Sequence, residues 1–230
     1  MKVLAIESSC DDTSIAIVND DKTVEFLETI NHRKFHKDLG GVIPEMAARQ
    51  HLEILEILGK SIKKINFSKI SAIAATFGPG LIGGLIVGSS FAKGLSISKN
   101  IKLVPINHLQ AHLLSPRLVS EIKFPYLCLL ISGGNTALVL VKNSKSFITL
   151  GSTIDDSAGE CFDKVAKGLG LGYPGGPEIE RLAIGGNIDR FELPMPLTKK
   201  NNCEFSFSGL KTAALNIIKN NKKTKMFLRD

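Results

Sequence analysis

The chain has 230 residues, 43% of them hydrophobic, and a formal net charge of +7 at pH 7. This length fits one large domain or two lobes of about 100 residues each. Its composition excludes a long disordered chain, no apolar run reaches the roughly 18 residues of a membrane-spanning helix, and the N-terminal MKVLAIESSC turns polar too soon for a signal peptide. We therefore expect a cytoplasmic protein with no membrane partner.

Charge and cysteine content leave the choice of partner open. Much of the positive charge lies in TKKNN and in the C-terminal KNNKKTKMFLRD, which would suit tRNA or another polyanion. AT-biased coding produces the same Lys and Asn richness, so charge alone does not decide. The four cysteines are scattered and contain no C-x-x-C pair, which predicts reduced thiols.

The chain opens with three predicted strands, over residues 2–6, 13–18 and 24–29. Each is an alternating or apolar run, and NDD forms the turn between the second and third strands. This pattern is typical of an antiparallel meander.

A helix should follow in PEMAARQHLEILEILGKSIKKI, because Pro44 is a helix start signal. Its predicted apolar stripe is formed by Leu52, Leu55, Ile62 and Ile65. A buried strand over 72–75, a helix over 83–97 and a strand over 102–106 come next. The predicted order opens β-β-β-α-β-α.

A shift of 123 positions starts the pattern again. VLAIESSCDDTSIAIVNDDKTVEFLET then lies over YLCLLISGGNTALVLVKNSKSFITLGS, and Thr13 is paired with Thr136. Two similar strand-turn-strand units predict an internal duplication, with an N-terminal lobe at 1–106 and a C-terminal lobe at 107–230. The alternative is that any two buried hairpins look alike.

The first turns of the two units, SSCDD and SGGN, contain small or acidic residues that suit a phosphate or a metal. Asp11 in the first turn is the candidate catalytic carboxylate, which would orient water or magnesium near phosphates. The alternative for Asp11 is ordinary turn chemistry. If the duplication holds, the two turns face each other.

Two histidines in PINHLQAHLLSP are candidate metal ligands. His108 and His112 are four residues apart, so on a helix their rings point the same way and can share one cation. For an isolated pair, two surface histidines would be the more common explanation. A zinc peptidase would carry Glu directly after the first histidine, whereas this chain carries Leu109.

Seven ordered motifs together carry a family resemblance: IESSCDDTS, GGVIPEMAARQH, FGPGLIGGLIVG, INHLQAH, LLISGGNTALV, DDSAGECFDKVAKGLGLGYPGGPEIERLA and FSFSGLKTA. From Lys2 to about Leu215 the chain closely resembles the tRNA adenosine threonylcarbamoyltransferase family, whose older members were labelled O-sialoglycoprotein endopeptidases. The resemblance implies an α/β, two-lobed, actin- and heat-shock-protein-like nucleotide-binding fold, built from a duplicated ribonuclease H-like unit.

The resemblance also implies a set of substrate-binding residues: Ile131, Ser132, Gly133, Gly134, Asn135, Asp163, Gly176 and Glu180. Gly176 would border the adenosine pocket, and Glu180 would accept hydrogen bonds from ribose hydroxyls. Asn135 stands where relatives usually carry His, and an amide neither titrates near neutral pH nor ligates metals well. Without the motif, Glu180 would be assigned to a solvated helix face.

By resemblance, the activity is transfer of the threonylcarbamoyl group from threonylcarbamoyl-AMP to an adenosine beside the anticodon in tRNAs reading ANN codons. The implied cofactor is one divalent metal ion, iron first, with zinc or magnesium as alternatives. The implied partners are tRNA, an inactive paralogous subunit and an ATPase. The remaining alternatives are a catalytically inactive partner subunit of the same complex and a metallopeptidase.

The family pattern continues past FSFSGLKTA for about a third of its usual length, and there supplies a substrate-contacting Asn and a metal-binding Asp. We therefore expect the second lobe of this chain to be incomplete and its third metal ligand to come from elsewhere. His32 and His36 repeat the four-residue spacing in a Gly- and Lys-containing segment, where a tRNA-facing or structural role is expected.

Overall fold

The computed structural model describes residues 1–31, 43–63 and 65–221, so His32 and His36 lie outside the described residues. Its contacts form two compact units, and among the described residues the boundary falls between Glu121 and Ile122. The sequence placed it at 106/107. The boundary lies later in the chain because His108–Leu114 form a helix that contacts the last two strands of unit 1. Within the described ranges, no helix combines the length and apolarity needed to cross a membrane.

Unit 1 is built on a five-stranded sheet in the order β3-β2-β1-β4-β5. The strands are β1 (Lys2–Glu7), β2 (Asp12–Asn19), β3 (Val24–Asn31), β4 (Ala72–Gly78) and β5 (Lys102–Asn107). The first three are antiparallel, whereas β4 and β5 run parallel to β1. The five predicted strands are thus confirmed, each slightly longer than expected.

Helix α1 (Pro44–Ile62) begins at the predicted proline, but its buried face differs from the predicted stripe. The buried residues are Ala47, Gln50, His51, Ile54, Leu55, Leu58 and Ile62. Leu52 is 64% exposed, so its assignment to the stripe was wrong. His51 lies one turn before Leu55 on the buried helical face that also carries Leu58. Leu52, the residue after His51, points away from that face.

Among the described residues, the other helices of unit 1 are a short 3-10 turn (Phe67–Lys69), α2 (Ile82–Lys99), α3 (His108–Leu114) and α4 (Pro116–Val119). α2 is capped at its C-terminus by Asn100, whose φ of 52° is left-handed. The core lies between the sheet and α1 and α2, where Leu4, Ile15, Leu58 and Ile73 are at most 1% exposed.

Two glycines let α2 lie very close to the turn that follows β1. A Cβ on Gly88 would lie well within 3.0 Å of Ser8 Oγ, and one on Gly84 would lie 2.8 Å from His51 Nε2. Ser8 Oγ donates a hydrogen bond to the Gly84 carbonyl at 2.9 Å. By contrast, Gly94 has open space at its Cβ position. The packing of α2 therefore helps to set the position of the first turn.

Unit 2 repeats the opening meander of unit 1. Its antiparallel strands are β6 (Tyr126–Ile131), β7 (Thr136–Asn143) and β8 (Ser146–Ser152). β1 and β2 pair Leu4 with Ile17, and β6 and β7 pair Leu127 with Leu140, so both partners are displaced by the predicted 123 positions. This register confirms the correspondence of the hairpins. Within residues 122–221, β6 has β7 as its sole strand neighbour, whereas β1 lies between two strands.

In the described part of unit 2, the helices are α5 (Ala158–Leu169), α6 (Gly175–Ala183) and α7 (Ser208–Asn221). Two adjacent carboxylates join α5 to α7. Asp155 accepts hydrogen bonds at the start of α7 from Ser206 Oγ, Phe207 N and Ser208 N, at 2.5, 2.8 and 3.3 Å. Asp156 pairs with Lys211 of α7 and with Lys164 of α5, the latter at 3.1 Å. The bond from Lys211 is the main cause that lowers the pKa of Asp156 to about 2.

Candidate functional site

The carboxyl ends of three parallel strands position the candidate metal ligand His108 and the side chains behind it. Glu7 is the last residue of β1, Thr76 lies near the end of β4, and His108 directly follows β5. Because β1, β4 and β5 are parallel neighbours, these ends meet at one edge of the sheet. Asn107 caps α3, since its Oδ1 accepts from the Gln110 N–H at 3.1 Å, and the cap fixes where the helix starts.

His108 and His112 converge as the sequence predicted. Their Nε2 atoms are 3.2 Å apart, and the rings meet edge to face with centroids 4.5 Å apart. Two nitrogens bound to one ion at about 2.1 Å lie roughly 3.0 Å apart at a right angle and roughly 3.4 Å apart at a tetrahedral angle. The observed separation falls between these values. The pair therefore fits a shared divalent ion.

Electrostatics favour the metal-binding form of His112. Burial, together with the nearby His108, lowers its pKa below the ordinary imidazole value. A neutral imidazole carries the lone pair that binds a metal, whereas the protonated ring does not. Among residues 1–31, 43–63 and 65–221, no cluster of three or more His, Cys, Asp or Glu side chains has a metal-binding arrangement. The described residues thus supply the two imidazoles.

Glu7 lies behind His108, and several donors hold its carboxylate. Its Oε1 accepts from the Ser9 N–H at 2.5 Å, and its Oε2 accepts from the Thr76 hydroxyl and lies 3.3 Å from His108 Nδ1. Burial alone would raise the pKa of Glu7, but the hydrogen bonds from His108, Ser9 and Thr76 outweigh it and lower that pKa to about 2. Glu7 is therefore an anion at neutral pH.

The turn that contains Asp11 is held from behind by a buried histidine. His51 of α1 is fully buried, and its Nδ1 is 2.7 Å from Thr13 Oγ1 while its Nε2 is 3.1 Å from the Cys10 carbonyl oxygen. Asp11 is half-buried in this turn, between β1 and β2. The backbone that carries Asp11 is thus fixed on both sides.

In unit 2, Ser132 to Asn135 form a closed turn. The Ser132 N–H donates to the Asn135 carbonyl at 2.8 Å, and the Asn135 N–H donates to Ser132 Oγ at 3.0 Å. Ser157, which caps α5, donates its hydroxyl to the Gly133 carbonyl at 2.7 Å. A Cβ on Gly159 would lie 2.7 Å from Gly133 Cα, so α5 begins directly against this turn.

The outer side of the same turn is open. Gly133 and Gly134 are exposed, and a Cβ on either would meet no atom within 4 Å. Ile131, the residue at the end of β6, is 56% exposed. A backbone without side-chain obstruction that is anchored from behind suits close approach of a phosphate or a planar group.

The other predicted substrate residues lie where α5 meets α6. Asp163 Oδ1 accepts from the Gly175 N–H at 2.7 Å, so this carboxylate fixes the start of α6. Gly176 follows in the first turn of that helix and has nearly open space at its Cβ position. Glu180 is exposed on α6. The structure therefore places Asp163 and Gly176 close together, with Glu180 one turn further along the helix.

Two interactions of the first unit were not anticipated. Glu7 was noted only as part of a motif, and its contact with His108 joins residues 101 positions apart. His51 was likewise noted only as the last residue of a motif, yet it organises the Asp11 turn. The available signals were an acidic residue at the end of a predicted strand and a histidine four residues before Leu55 of the predicted stripe.

Comparison with known proteins identifies the family. The model of the TsaD family, described as tRNA N6-adenosine threonylcarbamoyltransferase, matches residues 24–227. The chain belongs to the TsaD family. This confirms the resemblance inferred from the seven motifs, and TsaD proteins are, as their description states, transferases that act on tRNA adenosine.

Several TsaD relatives are about half identical to this chain. The relative from Wolbachia pipientis wMel is 50% identical over 231 residues, which cover 99% of this chain and 69% of that protein. The relative from Gluconobacter oxydans strain 621H is 50% identical over 222 residues, which cover 94% of this chain and 60% of that protein. The chain therefore spans between 60% and 69% of the length of these two TsaD proteins.

Solved structures confirm the expected fold class of this TsaD chain. Component A of (R)-2-hydroxyglutaryl-CoA dehydratase from Acidaminococcus fermentans matches 99% of this chain and 71% of its own, with a TM-score of 0.53 and 14% identity. A ROK family protein from Streptococcus pneumoniae matches 82% of this chain and 69% of its own, with a TM-score of 0.52 and 18% identity. Both have the actin-like nucleotide-binding fold, and at these identities the likeness concerns the fold alone.

Proposed function

We propose that this chain supplies metal- and substrate-binding residues for transfer of a threonylcarbamoyl group from threonylcarbamoyl-AMP to tRNA. The acceptor is the exocyclic amine of the adenosine beside the anticodon, in tRNAs that read codons beginning with A. Family membership supports tRNA threonylcarbamoylation in general. The observation that carries the proposal is the convergence of the His108 and His112 Nε2 atoms at 3.2 Å.

The proposed chemistry is acyl transfer from a mixed anhydride. The amine nitrogen of adenosine bonds to the carbamoyl carbonyl carbon, the bond from that carbon to the AMP oxygen breaks, and the amine proton is lost. Such a step gains most from correct placement of the two reactants and from fixed donors facing the developing negative charge. The N–H groups of the open, anchored backbone at Gly133 and Gly134 would supply donors of this kind.

Five of the predicted residues have proposed roles that their surroundings allow. Gly176 leaves room for the adenine to approach the start of α6, which Asp163 holds in place. The exposed carboxylate of Glu180 would accept hydrogen bonds from the ribose hydroxyls. Asp11, on its fixed turn, would orient water or a cation near phosphate oxygens. Asn135 would act as a hydrogen-bonding residue, since its amide does not titrate.

His108 and His112 would hold one divalent ion. Two imidazoles suit iron or zinc better than magnesium, which prefers oxygen ligands. When bound, the ion would act as a Lewis acid that offsets negative charge on the carbonyl and phosphate oxygens. The proposed partners are tRNA, an inactive paralogous subunit and an ATPase, and the family supports the first of them.

A second candidate is a non-catalytic partner subunit of the same complex. It is favoured by the two-imidazole site, because the described residues contain no metal-binding cluster of three or more side chains. The two candidates predict different metal binding: a functional site takes up one equivalent of Fe²⁺ or Zn²⁺ tightly, whereas a vestigial one binds weakly. A peptidase is disfavoured because Leu109 stands where the catalytic Glu would be.

The activity is tested by mass spectrometry of tRNA nucleosides after incubation with threonylcarbamoyl-AMP. The chain is assayed alone and with the remaining C-terminal third of a longer TsaD relative added in trans. We expect modification with the added segment and its loss in His108→Ala and His112→Ala. Gln110→Ala, an exposed position on the same helix, is the matched control and should keep full activity. Full modification by His108→Ala would overturn the proposed mechanism.

A further inference from the structure

The Nδ1 atom of His108 faces two oxygen atoms. Ser9 Oγ lies 3.0 Å from it and Glu7 Oε2 lies 3.3 Å from it. The opposite ring nitrogen, Nε2, is the one that converges with His112. The imidazole therefore has one nitrogen directed at the candidate metal position and the other directed at a carboxylate.

The carboxylate of Glu7 is itself held in place. The Ser9 N–H and the Thr76 hydroxyl donate to it, and Thr76 is 5% exposed. These donors come from the first turn and from β4, so two neighbouring strands fix the orientation of the carboxylate. A group fixed in this way can in turn fix the ring that it contacts.

An ionised carboxylate can only accept hydrogen bonds. A hydrogen bond between His108 Nδ1 and Glu7 Oε2 therefore requires a proton on Nδ1, and Ser9 Oγ can share that proton as a second acceptor. A lone pair on Nδ1 would instead face the negative charge of Glu7. With the proton on Nδ1, the lone pair of the neutral ring is on Nε2, which faces His112.

We infer that Glu7 is a positioning residue, which selects the Nδ1–H tautomer of His108 and directs its Nε2 lone pair at the proposed metal. The inference rests on the proposed metal role of His108. Glu7 does not contact the ion in this arrangement, and it acts through the imidazole. Carboxylate partners of metal-binding histidines typically contribute about 10- to 100-fold to metal affinity.

The tautomer can be measured without any metal. We propose recording long-range ¹H–¹⁵N spectra of the metal-free protein at about pH 8, above the ordinary imidazole pKa of about 6.5. The His108 signals are assigned by their loss in His108→Ala. We expect wild-type His108 to be protonated on Nδ1, and Glu7→Gln to show a mixture of tautomers. Wild-type protonation on Nε2 would overturn the inference.

Metal affinity is the second readout. Zn²⁺ titration, with the binding seen in His108→Ala subtracted, should show affinity at least about tenfold weaker in Glu7→Gln than in wild type. Glu25→Gln makes the same chemical change on β3, where the carboxylate pairs with Lys2, and should leave the affinity unchanged. Thermal unfolding of each variant separates a local effect from loss of fold. Unchanged Zn²⁺ affinity in folded Glu7→Gln would contradict the inference.

Ser9→Ala distinguishes the carboxylate from the hydroxyl at Nδ1. It removes the other Nδ1 partner while Glu7 remains, so we expect the tautomer to be retained and the Zn²⁺ affinity to change by less than the loss in Glu7→Gln. An equal loss in both variants would assign the positioning role to Ser9 instead. If wild type binds no Zn²⁺, the proposed metal role fails, and the metal-free spectra still decide whether Glu7 selects the tautomer.

Discussion

An added methyl group at Gly88 of α2 should disturb the packing of this helix against the first turn. In Gly88→Ala, the new Cβ would lie well within 3.0 Å of Ser8 Oγ and 3.0 Å from Ser8 Cβ, and Ser8 is 1% exposed. Either α2 must shift away from the first turn, or the Ser8 hydroxyl must rotate and lose its bond to the Gly84 carbonyl. Gly94→Ala in the same helix is the matched control, because its Cβ would meet no atom within 4 Å.

Both substitutions gain stability because they replace a helix-interior glycine. Only Gly88→Ala also loses stability, because its new methyl group overpacks a buried contact. Replacing a helix-interior glycine by alanine stabilises a protein by about 0.5–1 kcal/mol. Overpacking a buried contact costs about 1–3 kcal/mol, and losing a hydrogen bond costs roughly 1 kcal/mol more. We expect Gly94→Ala to raise the free energy of unfolding by about 0.5–1 kcal/mol and Gly88→Ala to lower it by about 1–3 kcal/mol.

Urea unfolding followed by circular dichroism would measure both changes. Hydrogen exchange of peptides from α2 would assign the loss in Gly88→Ala to unit 1, because exchange reports the stability of each region separately. If Gly88→Ala were as stable as Gly94→Ala, then α2 would not approach Ser8 as closely as described. The idea that this packing sets the position of the first turn would then be wrong.

Three further substitutions test other contacts. Asp156→Asn should lower the free energy of unfolding by about 1–2 kcal/mol at neutral pH. Because the folded-state pKa of Asp156 is depressed to about 2 from 3.8, its stabilisation is present above the ordinary value and lost as pH falls through about 2. The free energies of unfolding of wild type and Asp156→Asn should therefore converge in melts at acid pH. A difference that stays constant with pH would refute the stabilising role of the ionised Asp156. Gly151→Ala would place Cβ 2.7 Å from Cys203 Cβ and against its backbone, so a loss of about 1–3 kcal/mol is expected in urea melts, and none would contradict the contact. Thr13→Val removes the 2.7 Å bond to buried His51 and should cost about 1–3 kcal/mol by the same measurement, whereas a neutral result would show that this bond is dispensable.

The strands were predictable because alternation along a strand is a local signal. Residues two apart share a face, so the burial of Thr13, Ile15 and Ile17 follows from their spacing alone. The offset of 123 positions was likewise visible in the sequence, and the paired register of both hairpins obeys it. Leu52 was wrongly assigned because hydrophobicity favoured leucine over its neighbour His51. Thr13 and the Cys10 carbonyl offer that histidine buried partners, which a local pattern does not show.

The site was predictable in part for the same reason. The spacing of His108 and His112 is local, so their convergence on α3 could be expected from the helical repeat. The contact of Glu7 with His108 depends on the strand order β1-β4-β5, which brings together residues that are far apart in sequence. Strand order is a property of the whole sheet. Short motifs identified the participants, but they did not show which of them touch.

The exposed apolar side chains of β6 have a consequence for how this chain behaves at high concentration. Its segment YLCLLI contains no charged residue, and Leu127, Leu129 and Ile131, at alternate positions, are 61%, 52% and 56% exposed. A strand that has no charged residue and exposes apolar side chains is prone to recruit strands from other molecules, and natural proteins discourage this with charges or prolines. Concentrated solutions of the isolated chain should therefore form intermolecular β-structure, and a lysine placed at Leu129 should improve solubility.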